Sequence, residues 1–326
     1  MRAIVFDQPG DERVLRVAEI PAPSLGPGEV RIAVAACAVN RADLLQRQGK
    51  YPPPPGASEI LGLECSGEVT EVASDVRDWT PGDRVAALLA GGGYAEEVVA
   101  PAGCLMRVPE SLSLLEAAAI PEVYLTVHLT VFMLAALPNG GSALVHGGGS
   151  GIGTAAIQLV KAVGGHVIVT AGSEGKCRRC EAIGADRAVN YRTGDFLAAA
   201  RELTGGTGVD VVLDSIGAPY LTRNLDALAV GGRLVVIATM GGRSADIDLS
   251  LLLRRRLSVI GSSLRSRPLA EKSEAVASFT RRFGPDLASG RVRPIVDRVL
   301  PLAQAGDAHR VMAASSHFGK IVLQVR

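Results

Sequence analysis

The stretch Ser142-Ala-Leu-Val-His-Gly-Gly-Gly-Ser-Gly-Ile-Gly-Thr-Ala-Ala-Ile-Gln-Leu-Val-Lys161 decides how the chain is read. A short apolar strand runs into a glycine-packed turn, and a helix opens near Ile152. Glycines at such a turn let the backbone bend sharply and come close to a pyrophosphate. The exposed N–H groups and the dipole at the helix start then favour that anion. The usual G-x-G-x-x-G fingerprint takes the form Gly148-x-Ser150-x-x-Gly153, with a serine in the middle glycine's place. A plain glycine-rich βα turn shares much of this pattern, so the reading depends on what surrounds it.

What surrounds it is strict alternation. Strands are expected at Ala143–His146, His166–Thr170, Arg187–Tyr191, Val209–Ile216, Arg233–Thr239 and Leu257–Ser262. Helices are expected at Ile152–Val163, Lys176–Ile183, Phe196–Leu203, Tyr220–Leu228 and Leu249–Arg256. Six strands with interposed helices predict a doubly wound parallel sheet. Upstream, short runs such as Arg2–Phe6, Leu15–Glu19 and Glu29–Val34 alternate with Pro/Gly turns and read as antiparallel strands. A short helix is expected at Asn40–Gln48, a rigid loop at Tyr51–Gly56, and helices at Leu115–Ile120 and Tyr124–Leu137. The tail reads as helix Ala270–Phe283, strand Pro294–Leu302, helix Ala303–Ala313 and strand Gly319–Val325. The expectation is an α/β protein with a β-rich domain at 1–120, a dinucleotide-binding domain at 121–265, and residues 266–326 packing back onto the first.

Composition narrows the function. The chain has 326 residues, enough for about two domains, and is 48% hydrophobic. Its formal net charge of +1 argues against a nucleic-acid or membrane partner. No run is long and apolar enough for a membrane span. Arg254-Arg255-Arg256 is the one tight basic cluster and reads as the cationic end of a helix. The five cysteines are scattered and odd in number, which suits reduced thiols in the cytoplasm. Cys177-Arg-Arg-Cys180 falls inside an expected helix, where chance spacing explains it better than redox chemistry.

The second strand of a dinucleotide fold normally ends in an acid that holds the ribose 2′-hydroxyl. Here it ends Val169-Thr-Ala-Gly-Ser-Glu-Gly-Lys176, with Ala171 and Gly172 in the acidic slot. Ser173 and Lys176 would welcome a 2′-phosphate that a carboxylate would repel, which points to NADPH. The competing reading is that Glu174 serves the ribose.

Several stretches carry a resemblance: Asn40-Arg-Ala-Asp-Leu-Leu-Gln-Arg-Gln-Gly-Lys-Tyr-Pro52, Ile60-Leu-Gly-Leu-Glu-Cys-Ser-Gly67, Gly92-Gly-Tyr-Ala-Glu96, Ala119-Ile-Pro-Glu122 and Ser150-Gly-Ile-Gly-Thr-Ala-Ala-Ile-Gln-Leu159. Together they resemble the zinc-free quinone oxidoreductases of the medium-chain dehydrogenase/reductase superfamily, closest to the tumour-suppressor-inducible branch. The resemblance implies a GroES-like β domain beside a Rossmann domain, NADPH as cofactor, a cytoplasmic setting and a homodimer. It also implies a difference from zinc-dependent relatives. Their ligand cysteine aligns with Asn40 and their ligand histidine with Leu63, so Glu64 alone cannot complete a three-ligand site and no metal is expected. The cofactor contacts it implies are Ser150, Gly151 and Ile152 at the pyrophosphate, and Ser173, Lys176 and Tyr191 at the adenosine phosphate. Ser215, Ile216, Met240, Gly241 and Gly242 follow later strands, while Ser263, Arg265, Phe318 and Lys320 would close over the cofactor. Tyr51, Asn40 and Thr126 would lie near the nicotinamide, with Tyr51 and Asn40 as the catalytic candidates.

Without zinc, hydride transfer suits acceptors that are already electrophilic. Quinones come first. A reductase of enals, enones or enoyl thioesters shares the fold, cofactor and absent metal and stays open. So does a nucleotide-responsive RNA-binding or crystallin-like role, against which the near-neutral charge speaks.

Overall fold

The computed structural model describes residues 1–326. In chain order the first elements are β1 (Arg2–Val5), β2 (Arg16–Glu19), β3 (Glu29–Ala38), α1 (Arg41–Arg47), β4 (Glu64–Val72), β5 (Arg84–Leu88), β6 (Glu97–Pro101), β7 (Leu105–Arg107), α2 (Leu114–Ala117) and α3 (Pro121–Val127). The middle of the chain holds β8 (Ser142–His146), α4 (Gly151–Ala162), β9 (His166–Ala171), α5 (Glu174–Ala182), β10 (Arg187–Asn190), α6 (Phe196–Leu203), β11 (Val209–Asp214), α7 (Leu221–Ala227), β12 (Leu228–Val236), α8 (Leu249–Arg255) and β13 (Ser258–Gly261). The tail adds α9 (Leu269–Ala288), β14 (Val296–Pro301), α10 (Ala305–Ala313) and β15 (Lys320–Gln324). The chain divides into two compact units: Met1–Leu125 with Arg265–Arg326, and Thr126–Leu264.

In the first unit a sheet runs β14-β15-β3-β4-β5-β7, with β6 also paired to β3. Every pair in it is antiparallel except β14–β15. The strand β3 is its spine. Val30, Ile32 and Val34 alternate into the core with Val69, Val85, Val98 and Leu105. That alternation is the period-2 pattern that marks a half-buried strand. The strand runs on to Ala38, beyond the expected Val34, because its small residues pack under α2 with Ala118, Ala119 and Val322.

The second unit has a single six-stranded parallel sheet ordered β10-β9-β8-β11-β12-β13. Numbered by appearance this is 3-2-1-4-5-6, and the order reverses between β8 and β11. In such sheets a ligand sits outside the carboxyl ends of the strands at that reversal. The doubly wound sheet and the β-rich companion are thus present.

Two further expected elements differ in regularity as well as in bounds. The helix expected over Tyr124–Leu137 is α3 followed by a π-helical stretch at His128–Leu134. Thr130 Oγ1 donates to the Thr126 carbonyl at 2.6 Å, and Ala135 N reaches back to Thr130 O at 3.0 Å. A hydroxyl that takes a backbone acceptor in this way loosens the regular ladder. The strand expected over Arg233–Thr239 begins at Leu228 and ends at Val236, with an irregular register between its pairings to Val209 and Val211.

Candidate functional site

The glycine-rich turn at the head of α4 is built by three different constraints. Gly147 holds φ at 81°, in the left-handed region that suits glycine. At Gly148 a Cβ would lie 2.6 Å from the Val169 side chain and 3.0 Å from Cys180 Sγ. At Gly153 a Cβ would lie 2.4 Å from Gly147 O and from Gly148 Cα, so the helix can start that close to the turn only without a side chain. Ser150 is the N-cap: its Oγ accepts from Gly153 N at 3.0 Å. The N–H groups of Gly151 and Ile152 lie in the first turn, where no intrahelical acceptor exists, and they suit a pyrophosphate.

Ser173 caps α5 by accepting from Lys176 N at 3.3 Å. The Tyr191 hydroxyl, following β10, stands against Gly172, where a Cβ would come within 2.8 Å of it. No carboxylate follows β9 directly. Glu174 accepts from Asn190 Nδ2 at 2.9 Å, so that carboxylate has a partner of its own. Ser215 and Ile216 follow β11, and Met240, Gly241 and Gly242 follow β12. The two segments are joined by Met240 N to Ser215 O at 3.2 Å and Gly241 N to Ile216 O at 2.8 Å. Ser263 follows β13 and is exposed. All these positions therefore lie past the carboxyl ends of one sheet's strands. Thr126 opens the second unit and is partly exposed.

The CxxC cysteines lie in α5, both buried. Cys180 packs beneath Gly148, and burial pushes its thiol up to about 12. His146 ends β8 and is held by Thr170 Oγ1 at 3.1 Å and Asn224 Oδ1 at 2.7 Å. Burial first of all lowers its pKa to about 4, so the imidazole is neutral and structural.

The first unit holds a buried polar cluster. Lys320 Nζ donates to Asn40 Oδ1 at 2.6 Å, Glu64 Oε1 at 2.7 Å and Val39 O at 3.1 Å. Asn40 Nδ2 donates to the same Glu64 oxygen at 2.9 Å, and Glu64 Oε2 accepts from Glu122 N at 2.8 Å. Asn40, Glu64 and Lys320 are 7%, 0% and 3% exposed. Buried charges need such pairing, since removing one partner leaves the other uncompensated. Asp43, from the first turn of α1, accepts from Asn40 N at 2.7 Å, Gly62 N at 3.1 Å and Tyr94 Oη at 3.2 Å. Burial still raises its carboxyl to about 6 against those bonds. Arg47 can only donate, so His309 Nδ1, 3.2 Å away, accepts. His309 Nε2 then carries the proton and donates to Tyr94 Oη at 3.2 Å. Burial and then Arg47 lower the pKa of His309 to about 3.

Asn40 was expected beside the nicotinamide and Lys320 over the cofactor; the polar atoms of both are engaged within this cluster. Arg265 is 4% exposed, gives Nε to Ala90 O at 2.8 Å and Nη2 to Gln46 Oε1 at 2.7 Å, and stands 5.3 Å from the Tyr51 ring centroid. Phe318 is buried, its N–H on Asp297 Oδ1 at 2.9 Å. Sequence reasoning missed Asp43, Tyr94, His309 and Glu122 as members of one network. Three of them stood in quoted motifs, but no spacing rule brings together residues so far apart in the chain.

Residues 26–110 match the alcohol dehydrogenase GroES-like domain family, and residues 151–281 match the zinc-binding dehydrogenase family. The chain is 32% identical to "Quinone oxidoreductase-like protein 2" of Bos taurus, over 97% of this chain and 90% of that protein. It is 33% identical to a "Mycocerosic acid synthase-like polyketide synthase" of Mycolicibacterium smegmatis, over 99% of this chain but only 15% of that protein. Among solved structures it superposes on an "NAD-dependent alcohol dehydrogenase" with a TM-score of 0.88 at 36% identity, covering 100% of both chains. It superposes equally on the Escherichia coli "quinone oxidoreductase complexed with NADPH", with a TM-score of 0.88 at 28% identity and 100% coverage of both.

The zinc that one of these family names implies does not fit the residues present. Leu63 offers no donor atom, and the Asn40 and Glu64 oxygens are held by an ammonium. A dinucleotide does fit the turn and strand ends of the second unit.

Proposed function

The chain belongs to the quinone oxidoreductase-like branch of the medium-chain dehydrogenase/reductase superfamily, a family of NAD(P)-binding oxidoreductases, and from that premise we propose that it reduces quinones with NADPH. When bound, the reduced nicotinamide supplies a hydride. The residues of this chain bind and orient it. Ser150, Gly151 and Ile152 hold the pyrophosphate, while Ser173, Lys176 and Tyr191 receive the 2′-phosphate. Ala171 and Gly172 fill the slot where a ribose carboxylate would stand, and Glu174 beyond them accepts from Asn190.

The observation that carries the choice of acceptor is the ammonium of Lys320 between Asn40 and Glu64. A donor set closed in this way offers no Lewis acid to polarise a plain ketone or ionise an alcohol. Quinones delocalise the arriving charge themselves. Tyr51, stacked on Arg265, offers an aromatic wall for a flat acceptor. The second reading is reduction of enals, enones or enoyl thioesters, which the likeness to a polyketide synthase favours. We further propose a cytoplasmic homodimer. Five buried thiols support the compartment, and β13, at the sheet edge with Val259 exposed, supports the assembly.

The test is NADPH oxidation with ortho-quinones, para-quinones, enals and enoyl thioesters under one set of conditions. Highest kcat/KM with quinones is expected. Faster turnover of the enals or thioesters would move the assignment to the second reading, and no oxidation with any of them would overturn both.

A further inference from the structure

Glu122 Oε2 and Arg265 Nη1 are both buried and have no hydrogen-bond partner. In the cluster around Glu64 the polar groups of Asn40, Asp43, Lys320, Tyr94 and His309 have partners, and only Glu122 keeps an open side-chain oxygen. Such an orphan is costly unless something occupies it in the working state. Glu122 is fixed in place, because its own N–H is held by Glu64 Oε2 at 2.8 Å. As a residue Glu122 is of intermediate exposure, while its open Oε2 is buried.

We propose that Glu122 is the acid that protonates the acceptor after hydride transfer, with the unpaired N–H of Arg265 available to the same developing oxyanion. This rests on the reductase reading above. Hydride delivery to a quinone or an enone leaves an anion, a hydroquinone oxyanion or an enolate, that is one proton short. The Glu122 O–H bond breaks and the proton passes to that anion. The carboxylate then recovers a proton from solvent, so one hydride and one proton are consumed per turnover.

The surroundings keep the proton on Glu122 until it is needed. Burial, and then the Glu64 charge, push its pKa up to about 8; Asp43 adds to this, while Lys320 and Arg265 oppose it. At neutral pH the carboxyl is therefore mostly protonated. Arg265 lies 5.3 Å from the ring centroid of Tyr51, already placed as the wall for a flat acceptor, and its charge acts on the Glu122 carboxyl.

The experiment compares wild type, Glu122→Gln and Glu122→Asp with phenanthrenequinone and with crotonaldehyde across neutral and alkaline pH. NADPH affinity is followed separately by fluorescence. In wild type, kcat should fall as pH rises through about 8. In Glu122→Gln that alkaline limb should vanish and kcat drop by roughly 10²–10⁴-fold, as loss of a general acid does, with NADPH affinity within about twofold of wild type. Glu122→Asp should restore a limb at a shifted pH. In protein without cofactor, a protonated-carboxyl infrared band present at neutral pH in wild type should be missing from Glu122→Gln. Wild-type kcat and an unchanged limb in Glu122→Gln, with wild type active, would overturn this proposal and leave the reductase reading standing. Wild type inactive with both acceptors would overturn the two together, whatever the infrared band shows.

Discussion

We propose that cofactor choice turns on Lys176. It starts α5 behind Ser173, at a strand end where Gly172 lies against the Tyr191 hydroxyl and no carboxylate follows directly. A charge-assisted contact to a 2′-phosphate contributes about 1.5–3 kcal/mol, or roughly ten- to a hundredfold in affinity. Lys176→Ala should lower kcat/KM for NADPH by that factor and leave NADH nearly unchanged. Equal losses for both cofactors would show that Lys176 reads no phosphate. The buried titratable groups set a second expectation, with opposite signs. His309 has a folded pKa of about 3, below its ordinary 6.5. Its contribution to stability is whole above 6.5 and is lost as pH falls toward 3. Glu122 has a folded value of about 8, above its ordinary 4.5, so its contribution is whole below 4.5 and is lost as pH rises through 8. Denaturant unfolding of wild type against Glu122→Gln should therefore show wild type losing ground steadily over the second window. A difference that does not vary with pH would place the Glu122 proton elsewhere.

At the scale of the element, the βα turn depends on absent side chains more than on present ones. A Cβ at Gly153 would meet backbone atoms of Gly147 and Gly148, which cannot swing aside as a flexible side chain would. Gly153→Ala should displace the turn, cost about 1–3 kcal/mol of stability, and weaken NADPH tenfold or more. Unchanged melting and unchanged NADPH titration would mean that the turn is looser than this packing implies. Ser150 acts on the same helix differently. Its hydroxyl caps Gly153 N, so Ser150→Ala should cost about 1 kcal/mol with only a modest loss of cofactor affinity. In α8 the basic run has a similarly local role. Arg254 and Arg255 fill the last turn, and Arg255 donates to the Leu225 and Leu228 carbonyls around the end of α7.

For the molecule as a whole, the exposed edge is the feature that remains to be covered. The strand β13 closes one side of the second unit's sheet, and Val259 is 42% exposed there. Leu249 and Leu253 of α8, the preceding element, are exposed as well. Bare edges with apolar side chains invite pairing, and a second copy of this strand would continue the sheet. Light scattering at micromolar concentration should give a dimer mass, and Val259→Lys should shift it toward monomer. A monomeric wild type would remove the assembly. Chelation supplies a global check on the chemistry. With Leu63 and the Lys320 ammonium where ligands would be needed, turnover should survive exhaustive chelator treatment. Loss of activity restored by zinc would overturn the metal-free mechanism.

How much of this was legible follows from the range over which each signal acts. Hydrophobic period, glycine spacing and capping serines constrain φ and ψ within a few residues. From them alone come the doubly wound sheet, the glycine-rich βα turn and the absence of an acid directly after β9. The helix through Tyr124–Leu137 was misjudged because Thr130 competes for a carbonyl, a contest that periodicity does not record. The engagement of Asn40 was not legible at all. Its partner Lys320 lies 280 residues away and reaches it only because β15 pairs with β3. Whether a carboxyl keeps its proton, as Glu122 does, depends on desolvation and on charges gathered from α1, β4 and β15. Only the tertiary structure sets those, because burial and partner geometry belong to the assembled chain and to no local stretch of it.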